Sequence, residues 1–363
     1  MNINRIILTI LIAVLALQAS AKNQTENVVL VTIDGVRTEE VFDGFNTELF
    51  SFMDKNATKK AAFAKYSAQT SALRRERLMP FVWKELLLKY GSIAGNAALG
   101  SKMETTNNML FSFPGYSEIL TGEAHDDVIY SNNRVQNPYP SVLQFLQKKM
   151  RLNSNQVAAF GSWDAINEVV SSDPDAFVIN AGYKRYANPD NKITYFSDTQ
   201  FLTPTEWDNV RHDFYTFNLA MAHLKKYKPR VLYISLGETD DWAHGEHYDK
   251  MADALNRNDA QLRELWNFLR HDAQYKNKTT LVVTVDHGRG SSYKTWSDHG
   301  KDVPEARNIW AIFASPDSSL RGEWKNAPTI YQNQIAATLA NLLGFDYSEQ
   351  NSRAGKPINL TGN

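Results

Sequence analysis

Val28-Val29-Leu30-Val31-Thr32-Ile33-Asp34-Gly35 sets the reading of this chain. Apolar and β-branched residues follow one another with no charge on either face, and the run stops at a carboxylate and a glycine. A strand with one face in water alternates apolar and polar residues. A run apolar on both faces belongs in the interior of a parallel sheet covered by helices. Similar runs recur at Val157–Phe160, Val231–Leu236, Leu281–Val285 and Ile309–Ala314.

Helical patterns lie between these runs. Thr203-Pro204-Thr205-Glu206 reads as a capping box with proline at the first helical position. Trp207, Val210, Phe214, Phe217, Met221 and Leu224 then follow at spacings of three and four, one apolar stripe. A second helix carries Leu255, Leu262, Leu265 and Leu269, and a third is expected from about Tyr331 to Leu343. This alternation predicts an α/β fold: a mostly parallel central sheet flanked by helices on both faces, a three-layer sandwich. Residues from Thr38 to about Thr106 break the rhythm. They read as a polar, helical insertion beside the sheet, at about 38–106, within one domain spanning 22–363.

Composition narrows the chemistry. The chain has 363 residues, 43% hydrophobic and 22% charged, which excludes a disordered or fibrous chain. Lys+Arg number 39 against 40 Asp+Glu, so there is no basic footprint for nucleic acid. No cysteine is present, which removes disulfides, thiol nucleophiles and iron–sulfur clusters. At the N-terminus, Arg5, the apolar run Ile6–Leu17 and the small residues Ala19-Ser20-Ala21 predict a signal peptide over residues 1–21. The mature chain is then expected to have no membrane span and to work in a periplasm or outside the cell. Its oligomeric state is left open.

The functional residues are expected where strands end, because open α/β sheets place their sites at the carboxyl ends of strands. Asp34 follows the first run. Asp240 and His244 follow the Val231 run, four apart and so on one side of a helical turn. Asp286 and His287 follow the Leu281 run, and His299 sits in a Gly/Ser-rich loop. Carboxylates with imidazoles suit zinc, and manganese or iron less selectively. A hydroxyl complements them: Ser112 opens Ser112-Phe113-Pro114-Gly115-Tyr116-Ser117-Glu118-Ile119-Leu120-Thr121-Gly122, which reads as a helix start with free N–H groups that favour an anion. A serine beside a metal can ionise and attack phosphorus.

Together these motifs resemble the alkaline phosphatase superfamily, and within it the nucleotide pyrophosphatase/phosphodiesterases and secreted phosphoglyceromutase-like proteins. Asp34-Gly35, Ser112-Phe-Pro through Thr121-Gly122, Asp240-x-x-x-His244, Asp286-His287-Gly288 and His299 match its pattern in order, with Ser in place of Thr at the nucleophile. The resemblance implies an alkaline phosphatase-like sandwich holding two divalent ions, Zn2+ in first place with Mn2+ as the alternative. Asp240, His244 and His299 would hold one ion; Asp34, Asp286, His287 and the Ser112 oxygen would hold the other. It implies hydrolysis of phosphate mono- or diesters through a phosphoserine at Ser112. Asn132 is the expected phosphoryl-oxygen donor, Asn133 an equal candidate, and Arg37 a candidate substrate contact. Arg289 and Lys294 are read as solvated charges, and His247 and Asp241 as neighbours or surface residues. The partner is a small-molecule phosphate ester. Alternatives on the same scaffold are a sulfatase, a phosphoglyceromutase-like phosphotransferase and a non-catalytic phospho-ligand-binding protein. Tyr116 stands where a sulfatase signature requires arginine, so Ser112 is expected to stay unmodified.

Overall fold

The computed structural model describes residues 23–361; the expected signal peptide at 1–21 lies outside them. Among the described residues eleven strands form: β1 Asn27–Ile33, β2 Gly91–Ala94, β3 Met103–Glu104, β4 Val157–Gly161, β5 Val178–Ala181, β6 Val231–Leu236, β7 Thr279–Thr284, β8 Asn308–Ile309, β9 Ala311–Ala314, β10 Gly322–Glu323 and β11 Ile330–Tyr331. Eight build the central sheet in the order β10-β2-β9-β7-β1-β6-β4-β5, and β11-β3-β8 make a small second sheet. β1 is parallel to both neighbours, pairing Ile33 with Leu236 and Thr32 with Thr284. Every residue of β1, β6 and β7 is buried, which is why their sequences carry no polar face. Their carboxyl ends therefore finish side by side.

Helices flank this sheet. Asp213–Tyr227 packs on β4 and β6 and touches Tyr248–His271, which carries the predicted leucine stripe. Ser112–Thr121, Val142–Met150 and Ile335–Leu342 pack on one another, the last preceded by a tighter turn at Gln332–Gln334. Among the described residues no helix is long and apolar enough to cross a membrane.

Expectations fail locally at three stretches. The Ile309–Ala314 run breaks at Trp310, whose buried indole N–H donates to Val36 O at 3.0 Å, so β8 and β9 serve different sheets. β9 also runs antiparallel to β7 and β2, a direction that an apolar run does not encode. The stretch expected wholly beside the sheet contributes β2 to it; its helices give way after Lys89, and Gly91-Ser92-Ile93-Ala94 pairs with β9. The helix expected after Pro204 begins at Asp213 instead. The Thr203 hydroxyl, which would have capped it, pairs with Tyr215 Oη at 2.7 Å, and the Thr205 hydroxyl turns to the Trp207 and Val210 carbonyls at 2.9 and 2.6 Å, a local turn that competes with a helix start. Trp207 packs edge-on against Trp242, with ring centroids 4.7 Å apart.

Candidate active site

The three adjacent strand ends converge. Asp34 leaves β1, Asp286 and His287 follow β7, and helix Glu238–His244 follows β6. Asp34, Asp286 and His287 are buried together, and Asp240 and His287, both buried, meet the half-buried His299; within each trio the ligand atoms lie within 4.8 Å of one another. His287 Nε2 is 3.6 Å from Asp34 Oδ1, 3.4 Å from Asp286 Oδ2 and 3.9 Å from Asp240 Oδ1. The geometry thus gives His287 to both groups, where the sequence pattern gave it to one. His244 stands at the outer edge, its Nε2 3.2 Å from Asp240 Oδ2 and 3.0 Å from His299 Nε2.

Backbone carbonyls fix two ring orientations. His287 Nδ1 faces Gly288 O at 2.8 Å and His299 Nδ1 faces Leu110 O at 2.9 Å. A carbonyl only accepts, so each Nδ1 carries the proton and each Nε2 turns a lone pair inward. Asp34 Oδ1 and Asp286 Oδ2 are buried without a hydrogen-bond partner, and these are the oxygens that face His287. Their sister oxygens are satisfied: Tyr116 Oη donates to Asp34 Oδ2 at 2.6 Å, and Gly35 N donates to Asp286 Oδ1 at 3.1 Å. Burial pushes the Asp34 carboxyl well above the usual range and the Asp286 carboxyl up to about 7. Burial also pulls the His287 and His299 imidazoles down, His299 strongly. Unpaired carboxylate oxygens and inward imidazole lone pairs in a dry site are the donors a divalent cation satisfies, and their mixture suits zinc.

Ser112 meets this cluster from the other side. It is the first residue of helix Ser112–Thr121, and its Oγ lies 3.2 Å from His287 Nε2. Asn132 Oδ1 accepts from Phe113 N at 2.9 Å, which anchors its carboxamide at the same helix start. Asn133 is exposed, its backbone N–H donating to Ser131 Oγ. Arg37, the candidate substrate contact, is enclosed by protein groups. It is buried, its Nε donating to Glu40 Oε2 at 2.8 Å and its Nη1 to Gly290 O at 3.0 Å, a structural pair rather than a free cation.

Sequence reasoning missed several supports. Arg289, read as solvated, is buried; it pairs with Asp240 and bonds the carbonyls of Gly35, Asp240 and Ser297. Gly35 makes room for this stitch: at φ +63°, an added Cβ would sit 2.5 Å from Asp240 Oδ1 and 2.9 Å from Arg289 Nη2. Arg289 directly follows Asp286-His287-Gly288, and that adjacency was the available signal. Glu118 left none, because it lies six residues from Ser112 in an apolar helix. Its buried carboxylate takes the N–H groups of Thr106 and Asn107, both at 2.8 Å, and the Asn107 amide at 2.7 Å. Asn107 Oδ1 in turn holds the N–H of Leu110 at 2.8 Å, where φ is +54°, and Leu110 O is the acceptor that orients His299.

Solved structures share this architecture. Lipoteichoic acid synthase LtaP from Listeria monocytogenes superposes with a TM-score of 0.57 at 14% identity, over 91% of this chain and 74% of that one. Alkaline phosphatase PafA gives 0.57 at 12%, over 94% and 99%. BT1596, a 2-O GAG sulfatase, gives 0.50 at 12%, over 88% and 71%. The fold is that of the alkaline phosphatase superfamily. Residues 116–337 match the type I phosphodiesterase / nucleotide pyrophosphatase family, and the chain belongs to that family. Asp240, His244, Asp286, His287 and His299 fall inside the matched span; Asp34 and Ser112 precede it. No curated protein sequence matches the chain.

Proposed function

We propose that this chain is an exported metal-dependent hydrolase of phosphate mono- or diesters that uses Ser112 as its nucleophile. One observation carries the reading: Ser112 Oγ lies 3.2 Å from His287 Nε2, beside two buried carboxylate oxygens that have no partner. Asp34, Asp286, His287 and Ser112 would hold one divalent ion and Asp240, His244 and His299 the second, with zinc the best match to the donors and manganese next. Two such ions supply positive charge that favours the ionised serine and the departing ester oxygen.

The chain's own groups do the rest. Ser112 Oγ attacks phosphorus, the P–O bond to the alcohol breaks on the opposite side, and a phosphoserine remains. Water then attacks the same phosphorus and Ser112 is restored. Asn132, fixed through its oxygen on Phe113 N, keeps its amide N–H groups for a phosphoryl oxygen, where charge builds in the transition state. The N-terminus of helix Ser112–Thr121 favours the same anion. Tyr116 argues against the sulfatase alternative: its buried hydroxyl serves Asp34, where a formylglycine signature requires an arginine.

The test joins metal analysis to turnover of p-nitrophenyl phosphate, bis-p-nitrophenyl phosphate and p-nitrophenyl sulfate. Metal in the purified chain, with phosphate esters cleaved faster than the sulfate, is the expected result. A metal-free chain inert to all three retires the hydrolase, and a faster sulfate reinstates the sulfatase. N-terminal sequencing of exported protein should begin at Lys22.

A further inference from the structure

The groups of the site form a series that runs outward from the nucleophile. Ser112 Oγ touches His287 Nε2 at 3.2 Å, the His287 and His299 rings stack at 3.9 Å, and His299 Nε2 meets His244 Nε2 at 3.0 Å. The His244 side chain is 45% exposed, so the series ends at the surface. An in-line displacement sends the departing oxygen away from Ser112. Whatever alcohol carries that oxygen then lies on the His299 and His244 side.

A cavity of about 600 Å³ is walled by residues that neighbour these two histidines in sequence. Glu246 and His247, just past His244, form one wall; Tyr293, Lys294 and Trp296, just before His299, form another. Helix Thr47–Met53 closes the third side with Phe50 and Phe52. This helix comes from the stretch read in the sequence as a polar, helical insertion beside the sheet. Glu246 holds a left-handed φ of +56° without being glycine, so backbone strain is maintained at the cavity wall.

The lining limits what can bind. Asp54, Glu246 and Asp249 face two ammonium groups, and one of these, on Lys60, is already 3.4 Å from Asp54. A second strong anion is therefore repelled, and an acyl chain would desolvate these charges without replacing their hydrogen bonds. Two aromatic layers remain. Trp296 and Tyr248 meet edge-to-face at 5.3 Å and are buried. Phe52 and Tyr293 stack on each other at 5.2 Å and stand 63% and 44% exposed. That outer pair is closed on itself and leaves no slot for a nucleobase, but it offers flat apolar surface beside carboxylate acceptors and ammonium donors. A sugar has this complement: C–H faces for aromatic rings and hydroxyls that both donate and accept.

We propose that this cavity is the leaving-group subsite and that it takes a sugar-like polyol. The proposal rests on the hydrolase reading. It is tested with ethyl, D-glucose-6-yl and adenosine-5′-yl phosphates, each as monoester and as methyl diester, on the metal-loaded chain and on F52A/Y293A. The glucose ester should exceed the ethyl ester in kcat/KM by about tenfold or more, and the ratio should fall to within about threefold in the double variant. A ratio near one in the unaltered chain, a ratio that the variant preserves, or a preference for the adenosine ester overturns the proposal. If no ester is cleaved, the hydrolase reading fails instead, and glucose binding measured by saturation-transfer NMR judges the cavity alone. Transfer to glucose that the double variant abolishes supports the subsite; absence of transfer overturns it.

Discussion

Gly115 sets intrinsic helix preference against packing, and the structure says which wins. It lies inside helix Ser112–Thr121, where replacing glycine by alanine gains about 1 kcal/mol from propensity. An added Cβ, however, would stand 2.9 Å from the Asp286 carbonyl carbon and 3.2 Å from Asp286 Cβ, and nearer still to the carbonyl oxygen. These are mostly backbone atoms at the end of β7, and they cannot swing aside as a flexible side chain would. Overpacking of this kind costs about 1–3 kcal/mol. Gly115→Ala should therefore destabilise the fold by up to roughly 2 kcal/mol net, against the propensity scale. Activity should fall further than stability. Relief of the clash pushes the helix from β7, and with it Ser112 from His287, where a displacement near 1 Å can cost about a hundredfold in rate. Urea denaturation and p-nitrophenyl phosphate turnover measure both. A variant at least as stable as the parent with unchanged turnover would refute the packing argument.

Ser112→Ala should leave the unfolding free energy in urea within about 1 kcal/mol of the parent, because its hydroxyl makes no helix cap, while turnover drops by several orders of magnitude; a variant keeping a tenth of the activity contradicts the nucleophile. Chelation should abolish activity reversibly, and calorimetric metal affinity should weaken as pH falls below about 7. Burial holds Asp34 and Asp286 toward their protonated forms, so protons must leave as the cation enters; affinity independent of pH between 8 and 6 would refute this. His223 is neutral and buried, its Nδ1 accepting from Tyr186 Oη at 2.7 Å and its Nε2 donating to Asn155 O at 2.9 Å, with its pKa lowered to about 4 by burial. Its stabilisation is complete above about pH 6.5 and is lost between 6.5 and 4, as the unfolded chain takes up the proton first. The loss approaches about 3 kcal/mol. His223→Gln should flatten that acid limb relative to the parent in urea midpoints at pH 7 and 4.5; parallel limbs would dismiss the histidine.

Much of the site was legible because strand ends are written twice in sequence. The runs ending at Ile33, Leu236 and Val285 are each followed within two residues by an acidic one, and parallel pairing brings those stops together. His299 was legible from its ligand-type side chain in a Gly/Ser-rich loop, although its position depends on Leu110 O, far away in sequence. What escaped was whatever depends on a partner distant in the chain. Arg37 and Arg289 look alike as charges near motifs, yet both are buried, Arg37 against Glu40 and Arg289 against Asp240. The four residues of β2 carry too little pattern to mark a strand, and only the edge of β9 gives them one. The expected helix after Pro204 had the right local chemistry, but the Thr203 hydroxyl is taken by Tyr215, twelve residues on, and the Thr205 hydroxyl by a turn.

The Glu118 carboxylate has a mechanical consequence. It fastens the 106–107 segment to the helix that bears Ser112, and through Asn107 and Leu110 that segment steers His299. Nucleophile and outer imidazole therefore ride on one lever whose fulcrum is Asp286 against Gly115. A tilt of the lever carries both away from the Asp34–Asp286 floor in step and leaves their mutual spacing intact. Damage at Gly115 should thus weaken the two proposed cation positions together, and a metal titration would show the two losses in parallel.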